Sequence, residues 1–270
     1  MSGSVPDITA VLNVHREGLL AHSSLQSIVQ ARESAATAGI RVEILIAADC
    51  PDTEMRSYLT IAPEFGARVL DLRVDDLGLA RNAAVEAGSG RFFAFLDGDD
   101  LWCRDWLIKA YRCASAVPEH TIWHPEANLY FGAGEQPYWM MHHDIDTALG
   151  DWVLLGLRNH WTSLSFAPRE IYQRLPYRET NLNTGFGYED WCWNAETVSN
   201  GYRHRTVPGT VHLIRMQTTS LVRRTGAGRA LVMPSSLFRK KIGVARMQES
   251  EGDSALVSED SSTPKARTGT

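Results

Sequence analysis

Phe92-Phe93-Ala94-Phe95-Leu96-Asp97-Gly98-Asp99-Asp100 decides how the rest of the chain is read. An apolar, aromatic run of strand length carries no helical period and so reads as a buried parallel strand. It ends in three acids and a glycine. Carboxylates crowded at a strand's C-terminal end repel one another unless a hard divalent cation, Mg²⁺ or Mn²⁺, sits between them. Ligands of open α/β sheets bind at that same edge. Gly98 would let backbone and ligand come close. The plainer alternative is a solvated acidic turn that caps the next helix.

Upstream, strands alternate with helices. Ile8 to Val14 reads as a first strand, closed by the polar turn His15-Arg16-Glu17-Gly18. Leu19, Leu20, Leu25, Ile28 and Val29 then recur at helical spacing, and Gly39 ends that helix. Val42 to Ala48 is a second strand, running into Asp49-Cys50-Pro51-Asp52. Val69 to Leu72 is a short third, and Gly78 to Ala87 a helix stopped by Gly88. Such alternation predicts an α/β chain with a mostly parallel central sheet flanked by helices. Right-handed crossovers place Asp49 and Asp97 on one sheet edge.

Downstream, a helix is expected from Arg104 to Ala116 and a strand from Thr121 to Phe131. Residues 132–162 resist assignment. Their Trp139, Trp152 and Trp161 read either as exposed rings that stack on sugar C–H faces or as the core of an irregular segment. His142-His143 is a poor metal pair, because adjacent positions rarely point the same way. In Gly185-Phe186-Gly187-Tyr188-Glu189-Asp190-Trp191, two acids open a helix-like segment. They read as dipole-favoured capping residues or as a rigidly held general base. Ser235 to Met247 alternates Leu237, Phe238, Ile242 and Ala245 with basic residues. That makes a basic amphipathic helix that either packs on the domain or offers peripheral contact with an anionic membrane. Beyond Glu249 the Ser/Thr-rich acidic chain reads as disordered.

Size and composition bound the function. The 270 residues suffice for a substantial core, and a net charge of −5 argues against nucleic-acid partners. Cys50, Cys103, Cys113 and Cys192 are scattered without a CxxC pair, as in a reduced, cytoplasmic protein without a zinc site. Neither a signal pattern nor a membrane-length apolar run is present, which leaves only peripheral contact at the inner face of a membrane.

Taken in order, these motifs resemble the inverting glycosyltransferases of the GT-A (Rossmann-like) fold, family 2, over residues 7–222. The family's opening strand and polar turn match Ile8 to Arg16. Its paired acids after the second strand survive only as Asp49 in Ala48-Asp49-Cys50-Pro51. Its Asn-x-Gly leading to Ala-Arg-Asn becomes Asp76-Leu77-Gly78-Leu79-Ala80-Arg81-Asn82. Its Leu-Asp-x-Asp-Asp stands intact at Leu96 to Asp100, as does Glu-Asp-Trp at 189–191. The resemblance implies that Asp49 reads the nucleotide base, Arg81 lies near the phosphates, and Asp97 lies near the donor ribose and the metal. It implies Asp99 as the main ligand of a divalent metal, Mn²⁺ or Mg²⁺, with Asp190 as base and Glu189 nearer the acceptor. The family's metal-binding His is replaced by Gln217, and His212 lies nearby at the wrong offset.

The implied activity is transfer of one sugar from a nucleotide-diphosphate sugar, UDP being the commonest nucleotide, to an acceptor hydroxyl with inversion. The acceptor is a saccharide, a lipid-linked or a small molecule, in polysaccharide or glycolipid synthesis. The implied division is 1–117 for donor binding, 118–222 for the acceptor and base, 223–248 for a basic extension and 249–270 for a tail. A degenerate sugar-nucleotide binder without catalysis is the alternative. A nucleotidyltransferase lacks support because His15-Arg16-Glu17-Gly18 is no phosphate-cradling loop. No GxGxxG follows the first strand, against a Rossmann oxidoreductase. The Gln-x-x-Arg-Trp motif and membrane helices of processive synthases are missing.

Overall fold

Every residue of β1 (Ile8–Val14) is buried, which requires cover on both faces of its sheet. The computed structural model describes residues 5–240 other than 118–119, 133, 135, 148–150, 181–184, 218–224, 227–228 and 238. After β1 come α1 (Leu20–Ala36), β2 (Val42–Asp49), α2 (Thr53–Leu59), a 3₁₀ turn (Ala62–Phe65), β3 (Ala67–Leu72), α3 (Leu77–Ala87) and β4 (Phe92–Asp97). The second half holds β5 (Leu101–Trp102), α4 (Trp106–Ala116), β6 (Thr121–Phe131), β7 (Tyr138–Met141), α5 (Trp152–Leu155), β8 (Phe166–Pro168) and α6 (Arg169–Arg174). It closes with β9 (Phe186–Gly187), α7 (Glu189–Ser199), β10 (Arg203–Arg215) and β11 (Leu231–Val232).

One sheet runs β3-β2-β1-β4-β8-β6-β10-β5, with β7 also paired to β6; β9 and β11 form a separate ribbon. Pairs β1–β2, β1–β4, β2–β3 and β6–β10 are parallel. Strand β8 is antiparallel to both β4 and β6. Strands β6 and β10 therefore run in the direction of β4 and end on the same edge. Alternation sorts the side chains. Ile8, Ala10, Leu12, Phe92 and Leu96 pack with Leu25 and Ile28 of α1 and Trp106 of α4. Val11, Phe93 and Phe95 pack on the other face with Ala84, Tyr172 and Trp193 of α3, α6 and α7.

Short polar side chains start two of the helices. Asp52 accepts from Met55 N at 2.9 Å, and Asp76 accepts from Leu79 N at 2.8 Å, each meeting an amide the helix leaves unpaired. The first-half elements lie where alternation placed them. Strand β10 has no counterpart among the expected elements, and Pro208-Gly209 interrupts its pattern. The strand runs through it on a register shift between Val207 and Val211. The 235–247 helix lies largely outside the described residues, and the tail after Glu249 wholly so. Of the described part, Leu237 is buried with Leu155, Trp161 and Ala195. No described helix is long and apolar enough to cross a membrane.

Candidate active site

The parallel register of β1 with β2 and β4 puts Asp49 and Asp97 at neighbouring strand ends, as expected. Asp97 faces the α3 and α7 side of the sheet, in step with Phe93 and Phe95. Gly98 is needed where it stands. A Cβ there would meet Asn13 O at 2.9 Å and Glu17 Cδ at 3.0 Å. The close approach is thus to the chain's own first strand. Asp99 is half-buried and Asp100 buried. Burial raises the pKa of both, and neighbouring carboxylates add to it: Asp97 for Asp99, and Asp99 and Asp97 for Asp100. Burial likewise raises Glu17, beside the Asp99 charge.

Arg81 joins this edge to a segment more than a hundred residues away. Helix α3 starts at the Asp76 cap and brings Arg81 beneath the strand ends, where it is fully buried. Its Nη2 donates to Asp97 Oδ1 at 3.1 Å and to Ser163 Oγ at 2.9 Å. Its Nη1 donates to Glu189 Oε1 at 2.9 Å. The guanidinium also lies 5.4 Å from the centre of the Tyr177 ring. Burial alone would weaken its charge, but Asp97 and Glu189 outweigh that and hold its pKa above the usual value. Arg81, expected near the phosphates, is therefore spent on carboxylates. Glu189, expected nearer the acceptor, is turned inward to the same guanidinium.

Glu189 and Asp190 open α7, after Tyr188 in the left-handed region at φ 60°. A tyrosine there is unusual and makes the turn that starts the helix against Arg81. Asp190 accepts from Trp191 N at 2.8 Å and from Asn159 Nδ2 at 3.0 Å. Asn159 is itself held, because Asn194 Nδ2 donates to its Oδ1 at 2.9 Å. Burial first, then the Glu189 charge, push Asp190 up to about 7 against the pull of Arg81. A partly exposed carboxylate titrating there can take a proton from an incoming hydroxyl.

The remaining expected residues fall elsewhere. Asp49 is buried, and its carboxylate accepts from three backbone amides: Val74 and Asp75 on Oδ1, at 2.9 and 3.1 Å, and Asp76 on Oδ2, at 3.1 Å. It fastens the turn that leads into α3, so most of the acceptor capacity of the side chain expected to read the base is already engaged. His212, the other residue considered for the metal, lies in the core. It is fully buried, with its ring 4.6 Å from that of Trp106 and 6.2 Å from that of Trp102. His142 bonds to Pro125 O and Asn128 in the core, so it does not pair with His143. Trp161 is core, as one reading of the aromatic segment expected, and Trp139 is exposed. All four cysteines are free.

Gln217 does reach the acidic edge, its Nε2 donating to Asp99 Oδ2 at 2.5 Å. Among the described residues no three His, Cys, Asp or Glu side chains converge as a metal-ligand group. The donor set nonetheless suits a hard cation that brings its own phosphate oxygens. Among the described residues no basic side chain pairs with the Asp99 oxygens, and the Gln217 amide adds a further oxygen. Mg²⁺ is commonly held by one or two carboxylates plus substrate phosphates.

Three participants were missed from sequence: Asn159, Ser163 and Asn194. Each is a common polar residue in a stretch without periodicity. Only the distances to Asp190 and Arg81 single them out.

Comparison with known proteins bears on the fold that carries these residues. Residues 14–123 match the family model described as Glycosyl transferase family 2. Succinoglycan biosynthesis protein ExoO of Rhizobium meliloti (strain 1021) is 37% identical over 115 residues, 42% of this chain and 31% of that protein. Succinoglycan biosynthesis protein ExoM of the same organism is 23% identical over 141 residues, 51% of this chain and 45% of that protein. The chain thus spans less than half the length of either relative. Among solved structures, S. aureus TarS 1–349 in complex with UDP-GlcNAc superposes with TM-score 0.58 at 14% identity, over 86% of this chain and 64% of that one. Mannosyltransferase PcManGT from Pyrobaculum calidifontis, in complex with GDP-Man and Mn²⁺, gives TM-score 0.54 at 16% identity, over 80% and 59%. At these identities the likeness is one of fold, and the fold is that of the GT-A glycosyltransferases.

Proposed function

We propose, from the match of residues 14–123 to the family 2 glycosyltransferase model, that the chain is such a transferase and moves one sugar from a nucleotide-diphosphate sugar to an acceptor hydroxyl, with inversion. The observation that carries this reading is the Arg81 bridge. One buried guanidinium ties the acidic end of β4 to the start of α7, so a donor-side carboxylate and a base share one frame. Asp190 takes the hydroxyl proton as the new C–O bond forms. The anomeric C–O bond breaks on the opposite side, and its electron pair leaves with the nucleoside diphosphate. General-base help of this kind is worth about 10²–10⁴ in rate. Asp99 and Gln217 would hold a divalent cation with the donor phosphates, and such a cation offsets charge on the departing diphosphate. The Mn²⁺ in PcManGT and the UDP-GlcNAc in TarS support a metal and a nucleotide-sugar donor. The succinoglycan relatives support a place in polysaccharide synthesis. The division into donor half 1–117 and acceptor half 118–222 is part of the same proposal.

Thermal unfolding with UDP, GDP and dTDP, each with and without Mn²⁺, tests it. A nucleotide at 100-fold over its dissociation constant stabilises by about 2.7 kcal/mol. One nucleotide should shift the midpoint, more with Mn²⁺ than without, and Asp99→Asn should abolish the metal's share. No shift with any nucleotide overturns the reading.

A further inference from the structure

We propose that the exposed face of Tyr138 is the stacking platform for a pyranose ring of the acceptor, on the Asp190 side of the sheet. The inference rests on the transferase reading above and adds a residue to it. Strand β6 runs parallel to β4, so its last residues, Tyr130 and Phe131, lie on the edge where β4 ends in Asp97. Even-numbered side chains of β6 share a face with Ile122, which packs among Tyr172 and Trp193 on the α7 side. Asn128 follows that rule, its Nδ2 reaching His142 Nε2 at 3.1 Å and Thr162 Oγ1 at 3.5 Å. Thr162 is one residue before Ser163, which accepts from Arg81. Tyr130 is the next even position toward the edge. Burial raises its hydroxyl pKa, and the neighbouring Tyr138 phenol and the Asp100 and Asp190 carboxylates add to the shift.

Strand β7 pairs with this end of β6, opposing Tyr138 to Tyr130. The two rings stack with their planes parallel to within 6°, at 4.7 Å between centres. Tyr130 fixes one face of Tyr138, while Tyr138 is 50% exposed. The chain thus holds a flat aromatic face rigid and open to solvent, with no core role that would require the exposure. The C–H face of a pyranose is the chemical complement of such a ring, and its hydroxyls then project toward polar surroundings. Trp139 is more exposed, at 59%, but points to the opposite face of the ribbon.

Saturation-transfer NMR on the full chain tests this, with methyl β-D-glucopyranoside and methyl β-D-galactopyranoside as probes. Thermal unfolding with UDP, GDP and dTDP, each with Mn²⁺, is run in parallel. Wild type should transfer saturation to ring protons of at least one glycoside. Tyr138→Phe should keep the signal, and Trp139→Ala should keep it. Tyr138→Leu, which still covers Tyr130 but has no flat face, should lose about two- to tenfold, the scale of one aromatic contact. Nucleotide stabilisation should be equal in all four proteins. Equal sugar signals in wild type and Tyr138→Leu, or no signal from wild type with either glycoside, overturn the platform. A wild type that binds sugar but gains nothing from nucleotide overturns the transferase reading instead.

Discussion

Asn159 donates to Asp190 across a 3.0 Å hydrogen bond and is clamped from behind by Asn194 at 2.9 Å. A donor on a carboxylate favours its ionised form, so this bond works alongside Arg81 and the Trp191 amide against the burial that raises Asp190. Removing it in Asn159→Ala should raise the Asp190 pKa. The acid limb of the transfer rate should then move up by about one pH unit, the worth of a hydrogen bond to a charged group. Asn159→Asp should slow transfer further by adding a like charge. A pH–rate profile measures both, and an unmoved limb in Asn159→Ala would separate the two residues functionally.

In wild type, transfer should rise with pH through about 7, where Asp190 loses its proton. The sign follows from the role: only the ionised form accepts a proton, so activity falls as pH drops below that value. Asp190→Asn should cost at least about 10²-fold while leaving nucleotide stabilisation in place. A profile flat from pH 5 to 8 would assign the base to another group.

Arg81 should matter to stability as much as to activity. Arg81→Met leaves Asp97 and Glu189 without their shared cation, and breaking a buried pair typically costs about 3–5 kcal/mol. Arg81→Lys keeps the charge but cannot fork between two carboxylates, so an intermediate loss is expected. Urea unfolding decides the order. Equal stability of wild type and Arg81→Met would mean that the bridge is not a structural tie.

Gln217→His should change the metal preference. Replacing an amide by imidazole nitrogen favours Mn²⁺ over Mg²⁺. The added stabilisation by UDP should become larger with Mn²⁺ and smaller with Mg²⁺, read as unfolding midpoints. An unchanged ratio of the two shifts would place Gln217 outside the cation's reach.

Acid should unfold the chain partly through its buried histidines. His124 Nε2 and His204 Nδ1 lie 2.9 Å apart, with His204 Nε2 2.8 Å from Thr197 Oγ1. Burial holds His204 down to about 3 and His142 to about 4, and His124 well below the usual value. The folded chain keeps these rings neutral, while the unfolded chain protonates them near 6.5. Stability should therefore fall as pH drops from about 6.5 toward 4, because the unfolded state binds more protons there. His142→Gln should flatten that slope in urea titrations at pH 6.5, 5.5 and 4.5. An unaltered slope would assign the acid loss to carboxylates alone.

The sequence by itself determined the first half of this protein. Apolar strands with stops at their ends and helices with one apolar face leave few ways to bury both faces of a sheet, and the Leu96 to Asp100 edge follows from that topology. Glu189 and Asp190 were legible as the start of a helix, since acids are favoured there. What those residues do to one another was decided only by the tertiary structure. Arg81 meets Glu189 across 108 positions and Gln217 meets Asp99 across 118, and no local pattern encodes such pairs. The same holds for Asp49, whose partners are backbone amides and so leave no trace in residue identity. It holds for β10, where a bulge absorbs Pro208-Gly209, and for the Tyr130–Tyr138 stack. Periodicity records which face of an element is buried. It does not record which distant polar group shares that burial, and a buried charge must find its partner wherever the fold delivers one.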